Sequence, residues 1–174
     1  MTSLIDFGRI FLFSTFVVFA VSKLAKPAGF RDHIAATLPV SLSAARALAA
    51  GTLALEFAAA GLVMFDATLT AGSGLAAGLL AAFTAYIVFL LVKDPEAGCG
   101  CAGRSERVSA LDLARNVVLL AVSCLTLLVS ASGADVPPVT DDPAWFLLAG
   151  ASAVAVAHAG QIRHVVALFT APVK

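Results

Sequence analysis

The residues of this chain best suited to chemistry are two cysteines separated by one glycine, in Gly98-Cys99-Gly100-Cys101. The chain contains three cysteines in 174 residues, so most of its thiols lie in this one motif. Two thiols this close can be oxidised to a disulfide and reduced again. The motif follows an apolar stretch that Pro95 ends, because proline cannot continue a helical hydrogen-bond ladder. The pattern therefore predicts thiol–disulfide exchange at a membrane surface.

The one-residue spacing makes a disulfide between Cys99 and Cys101 unusual. Ordinary disulfides keep their Cα atoms about 5.5–6 Å apart, so we expect this one to be strained and easily reduced. Strained, exposed disulfides are the labile and catalytic ones, and Gly100 removes the side-chain obstacle to the backbone angles required. Positive charge favours the reactive thiolate. Three basic residues lie near the pair in the sequence: Lys93, Arg104 and Arg107.

Other interpretations of the cysteine pair remain open. The thiols can be inert, they can bind a soft metal such as Cu(I) or zinc, or they can form a permanent disulfide. Two thiolates alone do not complete a tetrahedral metal site, and no cluster of other ligands accompanies them, so we predict no metal. A permanent disulfide across one residue constrains too small a loop to stabilise much.

The third cysteine, Cys124, is expected to be separate from the pair. It lies about 22 Å along a helix that starts near Ser109, at the usual rise of about 1.5 Å per residue. We interpret Cys124 as a small buried core residue.

Composition indicates a membrane protein. Hydrophobic residues make up 60% of the chain and charged residues 13%, whereas soluble domains are about half apolar with about 25% charged residues. The net charge of +0 gives no basis for nucleic-acid binding. A membrane helix needs about 20 mostly apolar residues. Five such stretches are found, at about residues 4–21, 44–65, 75–92, 109–130 and 144–168.

The predicted fold is accordingly an all-α bundle of transmembrane helices, a single membrane domain with a redox loop at residues 93–108. Between the first two spans, Phe30, Ile34 and Leu38 recur at helical spacing and predict a short helix in the membrane interface. Residues 66–74 are interpreted as a tight turn. Ser109 and Asp112 form a capping-box pattern, so we expect the fourth helix to start there.

Glu56 lies near the middle of the second predicted span. A charged residue at that depth is costly unless it is paired, which makes it a functional candidate by default. Three roles are open: relaying a proton to or from the thiols, holding the polar group of a quinone-like carrier, or pairing with Arg115 or Asn116 inside the bundle.

Arg115 and Asn116 follow the predicted start of the fourth helix by less than two turns. Asp112 and Arg115 are three residues apart and can touch on one helix face. Together the three form a candidate polar cluster near the cysteine loop, in which Arg115 lowers a cysteine pKa, holds a substrate acid or makes a plain ion pair. Tyr86 in the third span is interpreted as a packing residue, and His158 in the fifth as bonded to a neighbour.

The orientation of the loop is open. Basic residues gather in the first connector and the cysteine loop, which by the positive-inside rule places the pair on the cytoplasmic face. Persistent disulfides are usual on the opposite side.

The stretch from Cys99-Gly100-Cys101 to Arg115-Asn116 resembles the MauE family of methylamine-utilisation membrane proteins, within the wider DoxX-like four-helix group. The likeness covers roughly residues 10–130. Further matching positions are Ser22-Lys23, the segment from Ile34 to Pro39, and Glu56. The family commonly has an aromatic residue after the second cysteine, where this chain has Ala102.

The resemblance implies a multi-pass protein of the inner or plasma membrane that forms or transfers disulfides with a thioredoxin-like partner. In the family's best-known case it supports maturation of a disulfide-rich periplasmic dehydrogenase subunit. The resemblance implies that Cys99 and Cys101 are the redox pair. Glu56, Arg115 and Asn116 match polar positions of the family. No cofactor beyond the redox-active disulfide is expected, a bound quinone being the alternative. The competing functions are a non-catalytic scaffold for redox proteins and a small-molecule or metal transporter.

Overall fold

The protein is a bundle of helices. The structure, a computed structural model, describes residues 2–93, 109–132, 144 and 147–155. Its helices are α1 (Thr2–Ala25), α2 (Pro27–Thr37), α3 (Leu42–Met64), α4 (Leu69–Lys93) and α5 (Ala110–Ala131), with a 3₁₀ turn at Asp66–Thr68. Residues 147–155 are also helical. All regular structure in the described part of the chain is helical, which confirms the predicted all-α fold.

Four helices within these ranges are long and apolar enough to cross a membrane: Ile5–Ala25, Leu42–Met64, Asp66–Lys93 and Ala110–Ala131. Many large apolar side chains point out of the bundle, among them Leu55 on α3, Phe89 on α4 and Leu128 on α5. A soluble protein would bury such residues, whereas a bilayer covers them without cost. The protein is therefore a multi-pass membrane protein.

The interior is a layer of side chains shared by all the spans. Ile10, Leu12 and Phe16 of α1 form its centre and are fully buried. Leu80 of α4 and Leu119 of α5 pack into the same cluster. Ala149 and Ala153, from the helical residues 147–155, lie in this core too. That segment therefore packs against the bundle, and its extension into a fifth span stays a prediction.

The short helix predicted between the first two spans is confirmed as α2. Phe30 and Ile34 are buried against Ala45 of α3, and Leu38 packs beside them. Leu38 is the C-cap, in an extended conformation that precedes Pro39 as the residue before a proline requires. The predicted capping box is also confirmed, because the Ser109 and Asp112 side chains each bond the other's backbone N–H.

The predicted turn at residues 66–74 is too long. The structure has a 3₁₀ turn of three residues at Asp66–Thr68, and α4 begins at Leu69. A Cβ on Gly72 would lie 2.6 Å from the backbone nitrogen of Val63, so only glycine lets the first turn of α4 lie against the last turn of α3.

The chain order fixes which segments share a face of the membrane. α1 ends, α3 begins, α4 ends and α5 begins at one end of the bundle, because successive spans cross in alternating directions. We call this end, with α2 and the connection across residues 94–108, the loop end. The turn at Asp66–Thr68 lies at the opposite end.

Candidate functional site

The cysteine pair belongs to the connection between α4 and α5. Cys99, Cys101, Arg104 and Arg107 lie outside the residues that the structure describes. The described residues on either side are Lys93, at the end of α4, and Ser109, which caps α5. The site can thus be described by the side chains that line the loop end of the bundle.

A buried ion pair joins the last turn of α1 to the middle of α3. The Lys23 Nζ donates to the Glu56 Oε1 at 2.5 Å, and the two side chains are 1% and 0% exposed. The sequence suggested Arg115 or Asn116 as the partner of Glu56, and that is wrong. Lys23 lies in the last turn of α1, which continues to Ala25 and packs against α3. The sequence does carry a signal that Lys23 faces the interior. Phe19 lies one helical turn before Lys23, so Lys23 continues an apolar face of α1.

Aromatic rings surround the ammonium group. The Lys23 Nζ lies 5.5 Å from the ring centroids of Phe19 and Phe30, and 5.3 Å from that of Phe83. The faces of these rings carry negative charge and attract a cation at such distances. They replace part of the hydration that Lys23 loses, and they bring α1, α2 and α4 together around one charge.

Arg115 belongs to the same layer. Its Cζ lies 5.4 Å from the Phe19 ring, so Phe19 contacts both cations. Its Nη1 lies 3.6 Å from the Asp112 Oδ1, which confirms the predicted contact three residues apart. We call Lys23, Glu56, Phe19, Phe83 and Arg115 the polar layer. Two of its polar atoms are buried with no hydrogen-bond partner among the described residues: Glu56 Oε2 and Arg115 Nε.

Asn116 faces a different neighbour. Its Nδ2 donates to the Leu80 carbonyl at 3.5 Å and to the Thr84 Oγ1 at 3.4 Å, both on α4. Asn116 is 2% exposed, and the bonds are long. The amide therefore bridges α5 to α4 beside the polar layer.

A second polar group ties α2 to α4. The Tyr86 hydroxyl lies 2.5 Å from the Thr37 Oγ1 and 3.0 Å from the His33 Nε2. Tyr86 is therefore a hydrogen-bonding residue as well as a packing residue. Burial lowers the pKa of His33 below its usual range, since the charged ring would lose hydration in this contact.

Arg9 serves the opposite end of the bundle. Its guanidinium donates to the carbonyls of Val63 at 3.2 Å and Met64 at 2.7 Å, and pairs with Asp66 at 2.7 Å. The last carbonyls of a helix have no partner within it and carry partial negative charge. Arg9 thus satisfies the end of α3, and this role is structural.

Cys124 is exposed, so its prediction as a buried core residue is wrong. The neighbouring Ser123 is fully buried, and the next residue of a helix lies about 100° further round. Cys124 consequently lies on the outer surface of α5. His158 falls outside the described residues. Within those residues, no group of three or more His, Cys, Asp or Glu side chains could hold a metal ion.

Comparison with known proteins gives one match. The family model described as methylamine utilisation protein MauE matches residues 1–129. No curated protein and no solved structure matches. The matched region contains the first three candidate spans, the fourth up to residue 129, the cysteine loop and every member of the polar layer. This protein belongs to the MauE family of membrane proteins.

Proposed function

We propose that this protein exchanges thiols and disulfides with a thioredoxin-like partner through Cys99 and Cys101, at the surface of the cell membrane. The cysteine pair is itself the redox group. The observation that carries the proposal is the place of the pair in the chain. In the sequence it falls between Lys93, at the end of α4, and Ser109, the N-cap of α5, whose first two turns carry Asp112 and Arg115.

The exchange conserves atoms and electrons between the two proteins. A thiolate of the partner attacks one sulfur of the Cys99–Cys101 disulfide, and the other cysteine leaves as a thiolate and takes up a proton. The second thiolate of the partner then attacks the mixed disulfide and releases the remaining cysteine. The partner is oxidised by two electrons and this protein is reduced by two. The direction follows the reduction potentials of the two pairs.

The polar layer supports this chemistry by providing a proton acceptor and positive charge. Each exchange releases or takes up protons, and the buried Glu56 Oε2 has no hydrogen-bond partner among the described residues, so it can accept one. Arg115 lies near the start of α5 and adds positive charge at the end from which the loop leaves. Positive charge favours the thiolate that leaves or attacks.

The test compares single cysteine variants of the full-length protein in liposomes. A reduced thioredoxin-like protein is added, and its oxidation is followed by alkylation with a maleimide that changes its mobility on a gel. We expect wild type to oxidise the partner once per disulfide. Cys99→Ser and Cys101→Ser should abolish the exchange, because neither variant can form the intramolecular disulfide.

Cys124→Ser is the matched control, since it removes a thiol on the outside of α5 and should leave the exchange unchanged. Exchange at the wild-type rate by both Cys99→Ser and Cys101→Ser would contradict the proposal. A wild-type protein that leaves the partner reduced would favour a non-catalytic scaffold for redox proteins.

A further inference from the structure

A cavity opens at the loop end of the bundle, between the end of α1, α2 and the first half of α3. Its volume is about 360 Å³. Ligand pockets in proteins span about 300–1,000 Å³, so this one lies at the lower end of that range. The described residues that line it come from the end of α1, from α2 and from the first half of α3.

Three cations line this cavity: Lys23, Arg31 and Arg46. Lys23 is paired with Glu56, and Arg31 pairs with Asp32 at 2.6 Å. Arg46 makes no ion pair within the described residues, and its side chain is exposed. Among the described residues, one positive charge at the cavity thus has no ionic partner, and an anion is the group that would pair with it.

The depth of Arg46 matches that of a lipid headgroup. It lies four residues into α3, about 6 Å from the start of a span at the usual helical rise. Long basic side chains at this depth extend to the interface, where phosphate groups are found. Basic pockets between membrane helices bind anionic headgroups for the same reason.

The remaining wall is apolar and runs along α3 into the membrane. Ala49, Ala50 and Leu53 follow Arg46 at one and two helical turns. The small side chains of the two alanines leave room beside the helix, and Ala50 is exposed. An aqueous anion gains nothing from this surface, whereas an acyl chain covers it.

We infer that the cavity between α2 and α3 binds one anionic phospholipid, with its phosphate at Arg46 and one acyl chain along Ala50 and Leu53. This binding goes beyond the proposed exchange and does not depend on it. The buried Lys23 forms the inner wall, so the lipid covers the polar layer on the side that faces the bilayer.

The test is native mass spectrometry of the full-length protein in detergent, titrated with phosphatidylglycerol, phosphatidylcholine or inorganic phosphate. We expect wild type to retain one phosphatidylglycerol, about tenfold more tightly than phosphatidylcholine, whose headgroup has no net charge. Arg46→Gln should weaken phosphatidylglycerol binding about tenfold, the change expected when one charge-assisted hydrogen bond is lost.

Two further variants separate charge from shape. Lys93→Gln removes a cation at the same end of the bundle but outside the cavity, and it should bind as wild type does. Ala50→Trp keeps every charge and fills the cavity, so it should bind less phosphatidylglycerol. Circular dichroism establishes that each variant has the wild-type helix content. If Ala50→Trp does not fold, the phosphatidylglycerol affinity of Arg46→Gln tests the inference by itself.

Three results would overturn the inference. Equal binding of phosphatidylcholine would remove the role of charge. Wild-type affinity in Arg46→Gln would place the lipid elsewhere. Full displacement of phosphatidylglycerol by inorganic phosphate would make the cavity a site for a soluble anion.

Discussion

At the scale of single residues, the buried pair of Lys23 and Glu56 is the most consequential feature of this protein. Two charges taken out of water lose a large hydration energy, and their attraction offsets this loss only when the geometry is good and further contacts help. Here the three rings of Phe19, Phe30 and Phe83 supply those contacts to Lys23. Removal of one partner should therefore cost far more than removal of both.

Lys23→Met should lower the free energy of unfolding by about 3–5 kcal/mol, because Glu56 is then a buried charge without a counter-ion. Glu56→Gln should lower the free energy of unfolding by a similar amount, because Lys23 is then the buried charge without a counter-ion. The double variant Lys23→Met/Glu56→Gln should be less destabilised than the sum of the two single variants. Equilibrium unfolding in mixed micelles measures all three.

Lys93→Met is the control for charge removal near the same membrane face, since Lys93 is exposed and contacts only the Phe89 ring in the described residues. It should change the free energy of unfolding by less than about 1 kcal/mol. Additive effects in the double variant would show that the two charges do not interact.

His33 should make stability depend on pH. Burial lowers its pKa in the folded protein below the ordinary value of 6.5. Below pH 6.5 the unfolded chain therefore binds more protons than the folded protein, and the free energy of unfolding falls as the pH falls. The stabilisation is complete above pH 6.5 and is lost as the pH drops through the folded pKa.

His33→Gln should flatten this dependence, because glutamine keeps a hydrogen-bonding group near Tyr86 and does not titrate. The measurement is thermal unfolding of both proteins from pH 8 to pH 5. The histidines at positions 158 and 164 are present in both, so the difference between the curves reports His33. Parallel curves would refute the prediction.

At the scale of helices, α3 and α4 approach most closely beside the turn at Asp66–Thr68. A Cβ on Gly72 would lie 2.6 Å from the Val63 nitrogen and 2.7 Å from the Leu62 carbonyl carbon. Both contacts are with backbone, which cannot move aside as a side chain can. The glycine thus fixes the distance between the two helices that carry Glu56 and Phe83.

Gly72→Ala should destabilise the protein by about 1–3 kcal/mol, the usual cost of overpacking. Gly78→Ala in the same helix is the matched control, because nothing lies within 4 Å of the added Cβ. Alanine favours a helix over glycine by up to about 1 kcal/mol, so this control should be neutral or stabilising. Equal effects of the two substitutions on the melting temperature would contradict the close approach.

At the scale of the whole molecule, alternating spans place α2 and the cysteine loop on one face of the membrane. The turn at Asp66–Thr68 lies on the other face. Thiol labelling can test this arrangement independently of any activity. Ser41 and Ala67 are suitable reporter positions, since both are exposed and lie at opposite ends of the bundle.

Single cysteines at these positions should be labelled from opposite sides by a membrane-impermeant maleimide, in protein whose three native cysteines are serine. Ser41→Cys should label from the same side as Cys99 in a variant that keeps only that thiol. The experiment uses intact and broken cells. Labelling of Ser41→Cys and Ala67→Cys from one side would rule out the alternating arrangement of α3.

Most helices of this protein can be predicted from its sequence, because helix formation depends on local chemistry. Long apolar runs identify spans, helical spacing identifies α2, and the Ser109–Asp112 pattern identifies the start of α5. The predicted turn at residues 66–74 is too long, because α4 already begins at Leu69. Small residues are common both in loops and where helices touch, and only the contact of Gly72 with α3 distinguishes the two.

Which side chains meet depends on how the helices pack, and the sequence pattern does not show this. The partner of Glu56 is 33 residues away in the chain, and the choice of Lys23 over Arg115 depends on how α1, α3 and α5 are rotated about their axes. The outward direction of Cys124 depends on the same rotation. Apolar residues occupy every face of a membrane helix, since both lipid and core accept them. The hydropathy pattern therefore carries little information about rotation, and packing sets it.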